Sequence, residues 1–165
     1  MTDPNNNSIV NIEFYEALTD INKLTKFLKD KTNIENIFFD GDNIIMWCAA
    51  YGDSDTFDYL IKNGCSIYYK NNRGYTPLHE SCAFGKTSII HYILHNDINL
   101  IKSVSSNGRT ILHELFKYNQ YDALSYLISY YPKHLNSLKI KDNYGKFPEE
   151  YTLDNNMQYL NMMIN

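Results

Sequence analysis

The sequence lacks the cysteine pairs from which a disulfide framework or a zinc site would be built. Its three cysteines, Cys48, Cys65 and Cys82, follow one another at intervals of 17 residues, and no C-x-x-C pair occurs. It also lacks a run of about 18 apolar residues, and the opening MTDPNNNS contains no basic segment followed by an apolar core. We therefore expect an unanchored intracellular chain, cytoplasmic and also compatible with the nucleus, that holds no metal.

An excess of positive charge is missing as well. The 15 Lys and Arg residues are outnumbered by 19 Asp and Glu residues, which gives a formal net charge of −4. Such a chain has no global positive field to attract nucleic acid or an anionic membrane, so neither is an expected partner. With 165 residues, of which 44% are hydrophobic, the chain is predicted to form one folded domain.

The motifs of phosphate-binding enzymes and serine hydrolases are absent too. Neither G-x-x-x-x-G-K-[ST], G-x-G-x-x-G nor G-x-S-x-G occurs, so we expect no cofactor, no small-molecule ligand and no enzymatic activity. His79-Glu80 and His113-Glu114 resemble half of a zinc-protease helix, but the second histidine four positions on is missing. A cysteine-dependent enzyme remains an alternative, because Cys82 follows His79 by three residues and could be a thiol beside a base.

What the sequence does contain is a repeat. Glycines recur at intervals of 33, 34 and 37 residues, at Gly41, Gly74, Gly108 and Gly145. An apolar triplet keeps the intervals of 33 and 34, as Tyr59-Leu60-Ile61, Tyr92-Ile93-Leu94 and Tyr126-Leu127-Ile128. Leu78-His79-Glu80 returns 34 residues later as Leu112-His113-Glu114. Because independent markers share one period, the sequence indicates a repeat architecture.

The unit that begins at Asn71 predicts a turn, a helix, a loop and a second helix. Gly74 permits the turn, Thr76 can cap the helix, and Pro77 suits the first helical position. The first helix is predicted to end at Gly85, and the second carries one apolar face of Ile89, Ile90, Ile93 and Leu94. Two such short helices cannot bury their apolar faces alone, so the units must stack into an all-α solenoid.

Residues 72–79, Asn-Arg-Gly-Tyr-Thr-Pro-Leu-His, followed by Ser-Cys-Ala-Phe-Gly at 81–85, resemble the ankyrin-repeat signature G-x-T-P-L-H-x-A-A-x-x-G. The resemblance implies an all-α ankyrin-repeat solenoid of stacked helix-turn-helix units with degenerate end caps. It also implies that His79 and His113 are structural, each bonded to a neighbouring loop. Cys48 and Cys82 take the small inward positions of their units and are expected to be buried.

The period divides the single predicted domain, residues 1–165, into five parts. A degenerate N-terminal cap is expected at 10–37, ankyrin repeats at 38–70, 71–104 and 105–141, and a truncated C-terminal cap repeat at 142–165. The longer interval before Gly145 predicts an insertion at 132–135.

The resemblance implies that partners contact the turn tips and the exposed side of each first helix. Ten residues after successive glycines come Tyr51, Phe84 and Tyr118, which we call the aromatic row. Large rings on such a face are typical interface anchors, although they could instead fill gaps between the first helices. The other expected contact residues are one helix position and four turn tips, namely Trp47, Arg73, Tyr75, Arg109 and Tyr144. The tips run from acidic, at Asp42, to basic, which could orient a partner of opposite polarity.

These features predict a non-enzymatic protein-protein interaction module that binds a partner through its concave groove and blocks or sequesters it. The chain is rich in Asn, Ile, Lys and Tyr, and only Arg73 and Arg109 among its 15 basic residues are arginine. That composition is similar to the AT-rich coding of some large DNA viruses and protists. Short viral ankyrin proteins resemble IκB, which implies a role in host-virus interaction as an NF-κB inhibitor-like protein with a Rel-type partner. The alternative is another ankyrin adaptor or scaffold, such as a viral host-range factor or a ubiquitin-ligase substrate adaptor without its own F-box.

Overall fold

The computed structural model describes residues 6–31, 33–39 and 42–152, and for residues 6–11, 38 and 39 the backbone alone. Gly41 and residues 153–165 of the predicted C-terminal cap lie outside these ranges. The α-helices are α1 Asn6–Ala17, α2 Ile21–Leu28, α3 Ile44–Tyr51, α4 Ser54–Lys62, α5 Pro77–Ala83, α6 Thr87–Asn96, α7 Ile111–Lys117, α8 Tyr121–Tyr130 and α9 Pro132–Leu135. Short 3₁₀ helices span Ile34–Asn36, Ile98–Lys102, Asn136–Leu138 and Pro148–Tyr151. The predicted all-α fold class is confirmed.

The helices stack in two layers. In the first layer α3 packs on α5, α5 on α7, and α7 on the 3₁₀ helix Pro148–Tyr151. In the second layer α2 packs on α4, α4 on α6, and α6 on α8. The core lies between the layers and runs their whole length, from Phe14 and Leu18 to Leu127 and Leu138. None of the helices in the described ranges combines the length and the apolarity that crossing a bilayer requires.

The turns that precede the first helices are bonded to one another. Gly74 has a φ of +73°, and a Cβ atom there would lie 2.7 Å from the Ser106 backbone nitrogen of the next turn. The Ser106 N–H donates to the Arg73 carbonyl at 2.9 Å, and the next pair of turns repeats this bond between Asn143 and Asn107 at 2.9 Å. The turn glycine thus supplies both the left-handed backbone and the close approach that stacking requires.

The structural role predicted for His79 and His113 is confirmed. The Thr76 N–H donates to His79 Nδ1 at 3.3 Å, which leaves the proton on Nε2, and Nε2 then donates to the Arg109 carbonyl at 3.2 Å. His113 bonds in the same way to the Lys146 carbonyl, also at 3.2 Å. Because both rings are completely buried, desolvation lowers their pKa values, that of His79 to about 4. Each imidazole therefore fastens a first helix to the next turn.

Where the repeat departs from the signature, other residues fill the missing roles. Asn119 stands where the second unit has Gly85 and takes the same left-handed conformation, with φ +55° against +66°. Asn43 replaces the capping threonine, and its side chain accepts from the Met46 N–H at 3.3 Å. The insertion at 132–135 forms α9, whose Leu135 is buried at the end of the core.

A short antiparallel hairpin was not expected from the sequence. Strands β1, Phe38–Phe39, and β2, Asp42–Asn43, pair with Phe38 opposite Asn43 and Phe39 opposite Asp42. Consecutive aromatic residues favour extended backbone, and the strands lead directly into α3. The hairpin takes the place of the turn in the most divergent repeat.

Candidate partner-binding site

A cavity of about 250 Å³ opens on the face of the first-layer helices. Its lining comes from β2, from one turn and from helices α3, α5 and α7 with the residues that end them. The lining residues are Asp42, Met46, Trp47, Ala50, Tyr51, Arg73, Tyr75, Glu80, Ala83, Phe84, Glu114, Lys117 and Tyr118. The whole predicted aromatic row therefore borders one concave site.

The aromatic row is accessible to a partner. Tyr51, Phe84 and Tyr118 are 38%, 41% and 47% exposed, respectively. The rings of Tyr51 and Phe84 lie 4.8 Å apart between centroids. Tyr118 is held differently, because Lys117 Nζ donates to its hydroxyl at 3.0 Å and lies 4.6 Å from its ring centroid. Much of the surface of these three rings therefore remains open to solvent.

The ring contacts extend beyond the predicted row toward α1. Trp47 stacks on Tyr51 at 5.6 Å with an interplanar angle of 19°, and Tyr15 makes edge contacts with both rings. Trp47 and Tyr51 meet because they are four residues apart on α3. Tyr15 was missed by sequence reasoning, since α1 follows no repeat signature that would set its register against α3.

Two of the three carboxylates that line the cavity are glutamates, and the surroundings of these two differ. Glu114 has only 2% of its side chain exposed; its Oε1 accepts from the Tyr75 hydroxyl at 2.9 Å and lies 3.9 Å from Arg109 Nη1. The Glu80 carboxylate makes no hydrogen bond within the described ranges, and its nearest cation is Arg73 Nη2 at 3.8 Å. Burial, reinforced by the Asp42 carboxylate, raises the pKa of Glu80 to about 7. Burial also raises the pKa of Glu114.

The expectation that Tyr75 and Arg109 are exposed turn tips is wrong. Tyr75 is buried with its hydroxyl on Glu114, and burial raises its pKa to about 12. The Arg109 side chain is 14% exposed; its Nε lies 3.6 Å from Asp142 Oδ2 and its guanidinium carbon 4.6 Å from the Tyr151 ring centroid. After Gly74 and Gly108, the residue that follows the turn glycine contacts the neighbouring unit instead of solvent. Tyr75 still lines the cavity, whereas Arg109 stands behind Glu114.

Arg73 and Tyr144 are the predicted tips that do face solvent. Tyr144 is 64% exposed and the Arg73 side chain 61% exposed. Arg73 Nη2 lies 3.4 Å from Asp42 Oδ2 of the preceding unit. The acidic tip at Asp42 and the basic tip at Arg73 therefore pair with each other within the molecule. Tyr144 lies away from the cavity lining.

The cysteines offer no accessible nucleophile. Cys48, Cys65 and Cys82 are buried with free thiols, as predicted for Cys48 and Cys82. Desolvation raises their pKa values, to about 12 for Cys48 and Cys65 and well above the usual thiol value for Cys82. A reactive cysteine needs the opposite environment, partly exposed and electropositive. Across the described part of the chain, no three His, Cys, Asp or Glu side chains are grouped as metal ligands.

Comparisons with known proteins place the chain in a family. The family model for ankyrin repeats (3 copies) matches residues 15–103 and, in a second match, residues 45–142. SMC5-SMC6 complex localization factor protein 1 from Bos taurus is 28% identical over 138 residues, 82% of this chain and 12% of that protein. BCL-6 corepressor-like protein 1 from Mus musculus is 28% identical over 123 residues, 69% of this chain and 7% of that protein.

Palmitoyltransferase AKR1 from Lachancea kluyveri is 24% identical over 90 residues, 53% of this chain and 12% of that enzyme. The chain thus spans about an eighth or less of the length of these relatives. With two matches to the family model that together reach from residue 15 to residue 142, the chain belongs to the ankyrin-repeat family of protein-protein interaction modules.

Proposed function

We propose that this ankyrin module binds a segment of another protein along the aromatic row and its cavity, and that it blocks or sequesters that partner. The observation that supports the proposal is the exposure of the row beside a concave site. Rigid rings supply a large contact area at little entropic cost, and aromatic residues are enriched among interface anchors. A volume of about 250 Å³ falls below the roughly 300 to 1,000 Å³ of small-molecule sites, which favours a polypeptide ligand.

The test truncates the row and measures capture. Tyr51→Ala, Phe84→Ala and Tyr118→Ala should each lower the free energy of unfolding by about 1 kcal/mol or less, yet weaken retention of partners from a cell extract. Leu78→Ala is the matched control for loss of packing, since Leu78 is completely buried and its truncation should cost about 2 to 5 kcal/mol. Row variants that unfold like Leu78→Ala would show that the rings are core. Unchanged capture by folded row variants would place the binding site elsewhere.

The sharper form of the proposal is a virus-encoded IκB-like suppressor that holds a Rel-type NF-κB transcription factor in the cytoplasm. It is supported by the ankyrin fold together with the lysine-rich, arginine-poor composition. Purified Rel-type protein should bind the wild-type chain and bind the row variants more weakly, as measured by fluorescence anisotropy. Binding of other proteins but not of Rel-type factors would refute this form and leave the general proposal standing.

A scaffold or adaptor role is the second candidate. It is favoured by the relatives, because a corepressor-like protein and a complex localization factor match this chain over 7% and 12% of their lengths. An ankyrin segment that recruits a partner should retain it without blocking its other contacts. Competition between this chain and the known ligands of a captured partner separates the two roles, since a sequestering module competes and a scaffold does not.

A further inference from the structure

The cavity combines aromatic walls with one buried and one partly buried glutamate. Trp47, Tyr51 and Phe84 contribute rings, and Glu80 and Glu114 contribute carboxylates. We propose that this cavity receives a basic side chain, lysine or arginine, from the bound partner segment. The inference rests on the proposed protein-binding function and adds the chemistry of the residue that is recognised.

The carboxylates have acceptor capacity that the protein does not use. In Glu114 the Oε1 atom accepts from Tyr75, whereas Oε2 makes no hydrogen bond to any described residue although 98% of the side chain is buried. In Glu80 neither oxygen accepts a hydrogen bond from the described residues, and the ion pair with Arg73 is long, at 3.8 Å. These oxygens are open to the cavity, and charged donors form the strongest hydrogen bonds to carboxylates. A cationic donor entering the cavity would supply what both side chains lack.

The charges that line the cavity favour a cation over an anion. Three carboxylates, Asp42, Glu80 and Glu114, face two cations, Arg73 and Lys117. Arg73 is shared between Asp42 and Glu80, and Lys117 donates to the neutral Tyr118 hydroxyl, so the lining keeps three negative charges against two positive ones. Glu114 already has Arg109 Nη1 at 3.9 Å. Glu80, whose pair with Arg73 is long and which accepts no hydrogen bond from the described residues, is therefore the carboxylate left for a ligand. A basic side chain is complementary to this site in charge.

The aromatic walls suit the rest of such a side chain. Lysine and arginine carry a charged head on an apolar stem, and the stem packs well on hydrophobic surface. The exposed faces of Tyr51 and Phe84 provide that surface, and a cation near an aromatic ring gains a further attraction from the ring quadrupole. A neutral apolar side chain of the same length would cover the rings but would offer no donor to Glu80 or to Glu114 Oε2.

Trp47 allows the inference to be tested without knowing the partner. It is the only tryptophan of the chain and lines the cavity, so its fluorescence reports on occupancy. The probes are three capped tripeptides, Ac-Gly-X-Gly-NH₂, in which X is lysine, arginine or norleucine. We expect the full chain to respond saturably to the lysine peptide, the arginine peptide or both, and roughly tenfold more weakly to norleucine. The two basic peptides decide which cation the cavity prefers.

A second experiment removes a negative charge from the cavity. Glu80→Gln should weaken the basic peptides roughly tenfold and leave the norleucine response unchanged. Asp122→Asn is the matched control, since it removes one negative charge from an exposed position on α8, outside the cavity lining. Glu114→Gln is a further variant, used if circular dichroism shows that it folds. An equal response to norleucine, no response to either basic peptide, or unchanged binding in Glu80→Gln would overturn the inference.

The two proposals can fail separately. If the row variants lose partner capture while Glu80→Gln keeps it and the basic peptides do not bind, the protein-binding function stands and the basic-residue inference falls. If the basic peptides bind through Glu80 but no protein is captured through the row, the cavity is a cation site and the proposed function fails.

Discussion

The Leu-His-Glu triplets of α5 and α7 have the same sequence and different chemistry at their last residue. Leu78 and Leu112 are both buried in the core, and His79 and His113 both bond to the carbonyl of the next turn at 3.2 Å. Up to that point the repeat determines the structure. The glutamates that follow occupy equivalent places, yet Glu114 is hydrogen bonded and Glu80 is not.

The cause is the residue that follows the turn glycine one unit earlier. For Glu114 that residue is Tyr75, whose hydroxyl donates to the carboxylate. For Glu80 it is Asp42, a second carboxylate, which raises the pKa of Glu80 further. A stacked repeat therefore fixes where a side chain lies, while the neighbouring unit decides whether that side chain is satisfied. Both glutamates line the cavity beside the aromatic row, and Glu80 is the one that accepts no hydrogen bond from the described residues.

The largest effect on this contrast should come from removing the cation behind Glu114. Arg109→Met keeps an apolar stem but leaves Glu114 and Asp142 buried without Arg109, so the free energy of unfolding should fall by about 3 to 5 kcal/mol. Arg73→Met is the matched control on the Glu80 side, where the exposed ion pairs should be worth no more than about 1 kcal/mol. Urea denaturation of both variants measures the difference. If both variants lost the same unfolding free energy, the two arginines would contribute equally to stability. The difference between the surroundings of Glu80 and Glu114 would then have no energetic consequence.

Removing the charge of Glu114 itself should have a smaller effect. In Glu114→Gln the amide oxygen can still accept a hydrogen bond from Tyr75. Arg109 loses its ion pair with residue 114 and keeps only Asp142 as an ionic partner. We expect the free energy of unfolding to fall by about 1 kcal/mol in urea denaturation at neutral pH, because the loss of the ion pair with Arg109 is partly offset by removal of a charge that burial disfavours. A variant as stable as the wild type would mean that Asp142 alone balances Arg109.

The elements of the repeat could be predicted because their signals are local. Helix α5 begins at Pro77 and ends just before Gly85, as expected, and α6 carries the predicted apolar face. The turns, caps and interlocking histidines depend on residues a few positions apart or on the next copy of the same motif. Such features follow from one repeat and its period.

The details of the site could not be predicted, because they depend on unlike residues in successive repeats. Tyr75 and Arg109 were expected in solvent, but Tyr75 reaches a partner 39 residues away and Arg109 one 33 residues away. Tyr15 joins the aromatic contacts from outside the repeat pattern. The period predicts which positions stack, and it contains no information on how different side chains at those positions pair. Only the packed structure brings Asp42 beside Glu80.

Glu80→Gln should change the free energy of unfolding the least. Near pH 8 it should raise this free energy instead of lowering it. The pKa of Glu80 rises on folding from 4.5 to about 7, so the folded chain keeps a proton that the unfolded chain releases between these values. The resulting stability is complete below 4.5 and is lost as the pH rises through about 7. The groups that set this titration are Asp42, Glu114, Arg73 and Lys117. Glutamine carries no charge at any pH and removes the dependence.

The unpaired amide costs the same at every pH. Glu80→Gln should therefore be about 1 kcal/mol less stable than the wild type in mild acid and about 1 kcal/mol more stable near pH 8, where the wild-type carboxylate is ionised. Urea denaturation of both proteins at the two pH values gives the difference. The buried His79, whose low pKa makes stability fall in acid, is common to both proteins and cancels. Glu114→Gln under the same conditions should remain less stable than the wild type at both pH values. If Glu80→Gln also destabilises the chain near pH 8, Glu80 is satisfied in the free protein, and the cavity has no unpaired carboxylate there to offer a cation.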